Sequence, residues 1–557
     1  MAKPWLQHYP SGVPAEIDMD EFSSLVDVFE KSVQRFRDRP AFSNMGASLT
    51  YGELNALTIR FAAYLQQDLG LQPGDRIALM MPNILQYPVA LFGALRAGLT
   101  VVNVNPLYTG RELSHQLNDS GAVAILIVEN FCCTLQKVIK DTPVKHVIVT
   151  ALGDLLPFPK RAIVNFVVRH IKKIVPAWSI DGTIPFREAL AKGAARTHQP
   201  TQLNHEHIAF LQYTGGTTGV AKGAVLTHGN MVANLQQASA WLAVRQFREG
   251  VVIVTALPLY HIFSLTANCL TFIKMGGCNL LITNPRDIPG FIKTLKENHF
   301  DVITGVNTLF NALLNHPDFA TLDFSHLICT LGGGMSVQHV VAEKWQKITG
   351  CTLIEAYGLT ETCPAAVINP MNLDHFSGFI GLPISSTEVV LRDADGAEVP
   401  LGEPGELCIR GPQVMRGYWN RPQETADVLG KDGFLATGDI AIQTADGYLK
   451  LVDRKKDMIL VSGFNVYPNE VEDVLAAHPD ILEVAVIGLP DHASGEQVVA
   501  CIVPRHAGLT AEAVIAFARE SLTGYKIPHQ VIFMTEVPKS NVGKILRREL
   551  RMQFAQK

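Results

Sequence analysis

Short apolar runs alternate with amphipathic stretches of helical length along the first two thirds of the chain. The run at 76–80 predicts a buried strand, a helical stretch over 84–96 follows it, and a β-type run comes at 101–104. Further strand-like runs fall at 123–128, 146–150, 208–212, 251–256 and 327–331. Strands separated by helix-length segments predict βαβ units, hence largely parallel sheets with helices on both faces. Near Gly378 the pattern changes to Gly, Pro and short β-type runs at 387–391, 406–409 and 448–452, which predicts a β subdomain over about 378–452. A charged knot follows, Asp453-Arg454-Lys455-Lys456-Asp457, and then a compact unit with helices over 468–478 and 511–522 and strands at 484–487 and 498–503. Pro468 suits a first helical turn, where its missing N–H costs nothing. The expected fold is α/β: a large N-terminal domain (1–453) of parallel-sheet α/β subdomains plus the β subdomain, and a small α+β C-terminal domain (454–557), divided in the charged knot.

Composition narrows the class. A chain of 557 residues exceeds one ordinary core. With 47% hydrophobic and 18% charged residues it is neither disordered nor unusually polar. A net charge of −5 argues against a nucleic-acid partner. The nine cysteines include no C-x-x-C pair and read as reduced, buried thiols. Residues 1–8 lack the apolar core of a secretory leader, and no run reaches a membrane-spanning length, so the expectation is a cytoplasmic protein whose membrane contact would be peripheral, at the inner face of the cell membrane.

The most informative segment is Tyr213-Thr214-Gly215-Gly216-Thr217-Thr218-Gly219-Val220-Ala221-Lys222-Gly223, after a predicted strand and before a helical stretch from Asn230. Its four glycines allow close backbone approach, and its three threonines and one lysine add donors, a composition suited to a polyphosphate. A Walker A loop needs G-x-x-x-x-G-K-[ST]; here Ala221 precedes Lys222 and Gly223 follows it, so that geometry fails at both places.

This segment resembles the phosphate loop of the adenylate-forming superfamily, which includes acyl-CoA synthetases, peptide-synthetase adenylation domains and luciferases. Six further segments match in the same order: Pro258-Leu259-Tyr260-His261, Gly332-Gly333-Gly334-Met335, Tyr357-Gly358-Leu359-Thr360-Glu361-Thr362, Thr437-Gly438-Asp439, Asp453 to Asp457, and Pro538-Lys539-Ser540-Asn541-Val542-Gly543-Lys544. Longer runs, 79–98, 103–121 and 438–470, are similar to the bacterial long-chain fatty-acid–CoA ligases. The resemblance implies activation of a fatty acid as an acyl-adenylate, then transfer to coenzyme A, with ATP and Mg²⁺. Two rival readings stay open: loading of a carrier-protein phosphopantetheine, and a nucleotide-binding NTPase or sensor module.

The resemblance also assigns roles. Tyr213, Thr214, Gly215, Gly216, Thr217, Thr218, Gly219 and Lys222 would hold the phosphates, with Thr214 and Glu361 at the metal. Thr360 would bond the α-phosphate; on local sequence alone, Thr360 and Glu361 read equally well as a helix N-terminus, Thr360 as its cap. Tyr357, with Gly358 beside it, would stack on adenine, and Gly332, Gly333 and Gly334 would line the base and thioester region. Asp439 and Arg454 would bind the ribose, although Gly438-Asp439 also suits an ordinary turn. Lys544 would reach the carboxylate and α-phosphate, Lys456 would mark the hinge of a mobile C-terminal domain, Gly463 would line the pantetheine tunnel, and His261 would position the carboxylate. A fatty carboxylate is already ionised at neutral pH, so His261 has no general-base work to do.

The runs 262–265 and 305–310 are expected to border the acyl tunnel. Leu265 stands where some relatives have a gating tryptophan, and Gly229 where many have arginine, the latter expected to bear only on loop packing. Residues 159–178 read as a basic amphipathic helix, suited to a membrane surface or to a partly buried surface position. A homodimer is compatible with everything above.

Overall fold

A computed structural model describes residues 3–214, 221–491 and 494–555. Two large sheets carry most of the chain. The first has nine strands in the order Leu382–Pro383, Ala365–Ile368, Leu353–Gly358, Cys329–Gly333, Val302–Gly305, Val252–Thr255, Cys278–Leu281, Pro40–Asn44, Ala47–Thr50. Its inner pairs are parallel and its edges antiparallel. The second has eight strands: Gly417–Tyr418, Lys222–Thr227, Ile208–Thr214, Thr100–Asn103, Arg76–Met80, Ala124–Val128, His146–Thr150, Ile184–Pro185. A four-stranded antiparallel sheet (Glu388–Arg392, Gly405–Arg410, Leu435–Gln443, Leu449–Arg454) forms the β subdomain.

Local chemistry sets the helix starts. Thr50 with Glu53, Thr109 with Glu112 and Thr227 with Asn230 form reciprocal caps on Tyr51–Gln67, Gly110–Ser120 and His228–Leu242. Helices Tyr51–Gln67 and Gln86–Arg96 pack closely because Gly93 has no side chain: a Cβ there would stand 2.8 Å from the Phe61 ring. Behind the first sheet, Phe310 and Trp345 meet edge to face at 4.8 Å, both fully buried.

The chain beyond the charged knot forms its own five-stranded sheet from Ile459–Val461, Phe464–Val466, Ile481–Asp491, Gly495–Pro504 and Gln530–Phe533, with helices Pro468–Ala476, Ala511–Ser521 and Arg547–Phe554. This C-terminal unit is docked on the larger one. Thr308 Oγ1 donates to Gly543 O (3.0 Å), Asn311 Nδ2 to Leu482 O (3.1 Å), Arg505 Nη1 to Asn315 Oδ1 (2.8 Å), and the N–H of His339 to Asp473 Oδ1 (3.1 Å).

Strand Lys222–Thr227 separates the Gly/Thr-rich segment from helix His228–Leu242 and runs antiparallel to Ile208–Thr214; its run Ala224-Val225-Leu226 is too short to announce it by periodicity. Two expectations need correction. The basic helix over 159–178 ends early. It runs as Lys160–Phe166 and one wide turn, Val167–Ile171, after which Lys172 and Ile174 donate back to Val167 and Val168 and Lys173 takes φ +51. Gly229 lies inside helix His228–Leu242, where a Cβ would stand 2.8 Å from His205 Cβ, so this chain packs His205 in the place of a side chain.

Candidate active site

The two stems of the phosphate loop are anchored differently. Tyr213 packs its ring over Gly223, where a Cβ would lie 3.1 Å away, and its hydroxyl donates to Asp119 Oδ2 (2.6 Å). Arg421 Nη2 donates to the other oxygen of Asp119 (2.6 Å). Tyr213 therefore holds a stem in place, with its hydroxyl already committed. On the far stem, Lys222 Nζ lies 5.2 Å from the centroid of the Tyr418 ring. Thr214 ends its strand opposite Lys222. Gly215, Gly216, Thr217, Thr218 and Gly219, expected to cradle phosphate, lie outside the described residues.

Strand Leu353–Gly358 delivers Tyr357, and a single 3₁₀ turn, Thr360–Thr362, delivers Glu361. The capping hydroxyl of that turn belongs to Thr362, which accepts the N–H of Leu359 at 2.9 Å, and not to Thr360. Gly358 is required by packing: a Cβ there would fall 1.8 Å from Pro364 O. The carboxylate of Glu361 accepts the Tyr418 hydroxyl on Oε1 at 2.6 Å. Buried Tyr357 donates its hydroxyl to Asp439 Oδ2 at 2.6 Å, and Arg454 Nε lies 3.3 Å from Asp439 Oδ1. Asp439 and Arg454 are direct cross-strand partners, so the β subdomain sets them side by side. Burial, with the Asp439 carboxylate next, holds the Tyr357 phenol well above its usual range.

Lys544 reaches this cleft from the C-terminal unit. Its loop is closed by Ser540 N–H to Lys544 O (2.7 Å) and Lys544 N–H to Ser540 Oγ (3.1 Å). Gly543 sits at φ +84 with Thr308 Oγ1 only 2.6 Å from where a Cβ would be, so only glycine lets the loop dock. A Cβ on Gly334 would be 3.5 Å from Lys544 Cε. Burial, and then the Arg454 guanidinium, push the Lys544 ammonium down to about 8, against the opposing pull of Asp439 and Glu361. His261 is pushed down to about 3 by burial and by Lys544, and its Nδ1 accepts the Phe263 N–H at 3.3 Å. With Nδ1 accepting, the neutral imidazole carries its proton on Nε2.

The glycines of 332–334 differ in purpose. Gly332 faces the core, where a Cβ would meet Leu353 and Val337 at 2.8 and 2.9 Å, whereas Gly333 lies beside the Phe263 ring and Gly334, at φ +78, beside Lys544. In the segments expected to border the acyl tunnel, Leu265 and Phe310 are fully buried core residues, while Phe263 and Val306 approach Gly333 and Gly334. Lys456 is exposed. Before it, Lys455 is tied to the β subdomain, N–H to Gly438 O (3.0 Å) and Nζ to Glu406 (3.1 Å); after it, Asp457 accepts from Arg551 (2.9 Å) in the C-terminal helix. Gly463 stands at the exposed tip of a two-residue hairpin turn with Ser462, both at positive φ, and open space surrounds it. It is not gathered with the other site residues in this arrangement.

Four residues at or beside the site have no counterpart in the sequence reading: Tyr418, Asp119, Arg421 and Glu355. Glu355 is buried on the Tyr357 strand, accepts the Val337 N–H at 3.1 Å, and is pushed up to about 8 by burial. Among the described residues no cluster of three or more His, Cys, Asp or Glu could hold a metal by itself. One carboxylate and a threonine hydroxyl suit Mg²⁺ that arrives on a nucleotide, since Mg²⁺ keeps waters and takes its other ligands from phosphate oxygens.

A model of AMP-binding enzymes matches residues 29–419, and a model of the AMP-binding enzyme C-terminal domain matches residues 470–544. The chain is 59% identical over 551 residues to a long-chain-fatty-acid–CoA ligase of Escherichia coli O6:H1, covering 99% of this chain and 98% of the other, and 60% identical over the same length and shares to that of Yersinia pestis. It is 37% identical to the ligase of that name in Bacillus subtilis, over 98% of this chain and 97% of the other. Among solved structures, an anthranilate CoA ligase in complex with anthranoyl-AMP has the same fold, with a TM-score of 0.85 at 23% identity over 96% of this chain and 99% of that one. ATP-bound MatB from Rhodopseudomonas palustris gives a TM-score of 0.79 at 25% identity, over 95% and 99%.

Proposed function

The chain belongs to the AMP-binding enzyme family, and on that premise we propose that it is an ATP-dependent long-chain fatty-acid–CoA ligase. A fatty carboxylate oxygen attacks the α-phosphorus of ATP, the bond to the β-phosphate breaks, and pyrophosphate leaves. The CoA thiol then attacks the acyl-adenylate carbonyl, a C–S bond replaces the C–O bond, the thiol proton goes to solvent, and AMP leaves. The observation that carries this reading is the convergence of Lys544 from one unit with Glu361, Asp439, Arg454 and Gly334 from the other.

In the first half-reaction two anions must approach each other, so catalysis consists of charge screening and alignment. Lys544 carries the cation placed between carboxylate and α-phosphate, and Thr360 donates to that phosphate. His261, held neutral, offers its Nε2–H to the carboxylate. Asp439 and Arg454, already paired, receive the ribose, and Tyr357 walls the adenine. Thr214 and Lys222 bind the β/γ-phosphates together with residues 215–219. Glu361 and Thr214 would hold the Mg²⁺ that arrives with the nucleotide, and that ion would supply neutralisation of the leaving pyrophosphate.

The second half-reaction needs Lys544 withdrawn and a thiol admitted. The backbone supports a pivot at Lys456: Lys455 is bonded to the large unit and Asp457 to the small one. Rotation there would bring the exposed Gly463 hairpin to the cleft, where a residue without a side chain leaves room for pantetheine. The deciding experiment is fatty-acid-dependent release of pyrophosphate from ATP, followed by thioester formation with CoA or with a phosphopantetheinyl carrier protein across acyl lengths. Release of phosphate in place of pyrophosphate, or no dependence on the acid, defeats the proposal; thioester on the carrier protein alone would redirect it to the other acceptor.

A second reading concerns the surface at 158–174. Phe158, Ile163, Phe166, Ile171 and Ile174 are between 50% and 76% exposed, beside exposed Lys160, Lys172 and Lys173, while Val168 faces inward. Among the described residues no helix is long and apolar enough to cross a membrane. We propose that this face rests on an anionic bilayer, the phase into which a long acyl chain partitions. Co-sedimentation with phosphatidylglycerol vesicles should fall strongly when Ile163, Phe166 and Ile171 are all changed to Ser; unchanged sedimentation removes the surface from the account.

A further inference from the structure

The segment 415–421 leaves the β subdomain, between its strands Gly405–Arg410 and Leu435–Gln443, and adds Gly417–Tyr418 to the edge of a different sheet. There it pairs with the strand that begins at Lys222, Gly417 opposite Val225 and Tyr418 opposite Ala224, and the Trp419 N–H donates to Gly223 O at 2.8 Å. Such an excursion gives up continuity with its own sheet, and its contacts indicate what it gains.

Two hydrogen bonds of this segment go to Glu361, the carboxylate expected at the metal, and one ring contact goes to Lys222. The Met415 N–H donates to the carbonyl of Glu361 at 2.8 Å, and the Tyr418 hydroxyl donates to the Glu361 carboxylate at 2.6 Å. The face of the same ring lies under Lys222 Nζ at 5.2 Å. Three residues further on, Arg421 holds Asp119, which holds Tyr213 on the opposite stem of the loop. The Tyr418 backbone is itself fixed from behind. Its N–H donates to Thr425 Oγ1 at 2.9 Å, and Gly417 admits Thr425 because a Cβ there would lie 2.7 Å from Thr425 Cγ2.

We propose that Tyr418 is a positioning residue that keeps Lys222 and Glu361 apart and preset for the nucleotide. A lysine and a glutamate at the mouth of one cleft attract each other, and a closed ion pair would cancel the cation needed by phosphate and the anion needed by Mg²⁺. Tyr418 contacts both, Lys222 through its ring face and Glu361 through its hydroxyl. Its hydroxyl takes one oxygen of Glu361, the other oxygen accepts no hydrogen bond among the described residues, and its π-face steadies the ammonium without neutralising it. One side chain thus links the phosphate-loop lysine to the metal-binding carboxylate. This inference rests on the roles proposed above for Lys222 and Glu361.

The test is equilibrium binding of ATP by calorimetry, with and without Mg²⁺, alongside the two half-reactions measured separately. Tyr418→Phe keeps the ring and loses the donor to Glu361. It should weaken Mg·ATP binding about tenfold, the scale of a hydrogen bond to a charged group, and leave metal-free ATP binding nearly unchanged. Tyr418→Leu removes the spacer and should weaken both. Thioester formation from supplied acyl-adenylate should persist in each variant, because no triphosphate is present in that step. If Lys222→Ala weakens ATP binding while both Tyr418 variants bind like the parent, the positioning role is wrong and the phosphate-loop assignment survives. If Lys222→Ala itself has no effect, the assignment fails and the role of Tyr418 fails with it. Equal loss of both half-reactions with a lowered melting temperature would mark Tyr418 as merely structural and also overturn the proposal.

Discussion

Lys544 and Gly334 meet across the two units of the molecule: a Cβ on Gly334 would stand 3.5 Å from Lys544 Cε, and Gly334 holds φ +78. The lysine stem thus lies along a backbone that offers no side chain to exclude it. A unit charge about 4 Å from an anion contributes on the order of 4 kcal/mol at an effective dielectric near 20, or roughly a thousandfold in rate. Lys544→Ala should therefore lower ATP–pyrophosphate exchange by about three orders of magnitude while thioester formation from supplied acyl-adenylate persists. Exchange at the parental rate in this variant would remove Lys544 from the chemistry.

The same ammonium sets a pH dependence. Burial and Arg454 push Lys544 down to about 8 in the free enzyme. Only the protonated form screens the approaching anions. The adenylation kcat/KM, which reports free-enzyme ionisations, should therefore be full below that value and decline as pH rises through about 8. Lys544→Arg should move the decline to higher pH, since a guanidinium stays charged. A profile whose alkaline limb is unmoved by this substitution assigns the limb to another group.

Glu355 makes a prediction about stability. Its carboxyl is pushed up to about 8 by burial, from the ordinary carboxyl value of 4.5. The folded state therefore holds a proton that the unfolded state releases. Because the folded state binds more protons, stability falls as pH rises from the unfolded value toward the folded one, by at most about 1.4 kcal/mol per pH unit for a single group. Glu355→Gln, which keeps the acceptor for the Val337 N–H, should flatten that part of the curve and be the more stable form at alkaline pH. Denaturant midpoints across pH check this, and parallel curves for parent and variant would rule it out.

Gly463 separates the two half-reactions in the opposite sense. It lies at φ +85 in open space, so a side chain is tolerated sterically in the arrangement seen, at a local conformational cost of roughly 1 kcal/mol. Gly463→Leu should therefore retain pyrophosphate exchange and slow release of the thioester, because the side chain would stand where pantetheine must pass once the hairpin enters the cleft. Comparable losses in both half-reactions would count against the pivot at Lys456.

What could be read in advance was local. The Gly/Thr-rich loop, the Tyr357 to Thr362 run and the Lys544 loop each carry their chemistry in consecutive residues. Strands such as Arg76–Met80 and Ala124–Val128 announce themselves by apolar runs of strand length. The strand Lys222–Thr227 escaped because a short apolar run beside a helix cap carries no decisive period. The extent of the basic helix escaped because its amphipathic pattern continues past the residue, Lys173, whose left-handed backbone ends it.

The sequence by itself determined which groups are present and in what order: a Gly/Thr-rich loop, an acidic turn at Glu361, the pair Asp439 and Arg454, and Lys544 near the C-terminus. Only the tertiary structure decided how they are held. Tyr418 meets Glu361 across 57 positions, Tyr213 meets Asp119 across 94, and Arg421 meets Asp119 across 302. The physical reason is that hydrophobic periodicity and capping act within a few turns of chain, whereas the partner of a buried polar group is chosen by strand order and sheet register. A tyrosine looks the same in sequence whether it fills a core or contacts a lysine with its ring and a glutamate with its hydroxyl.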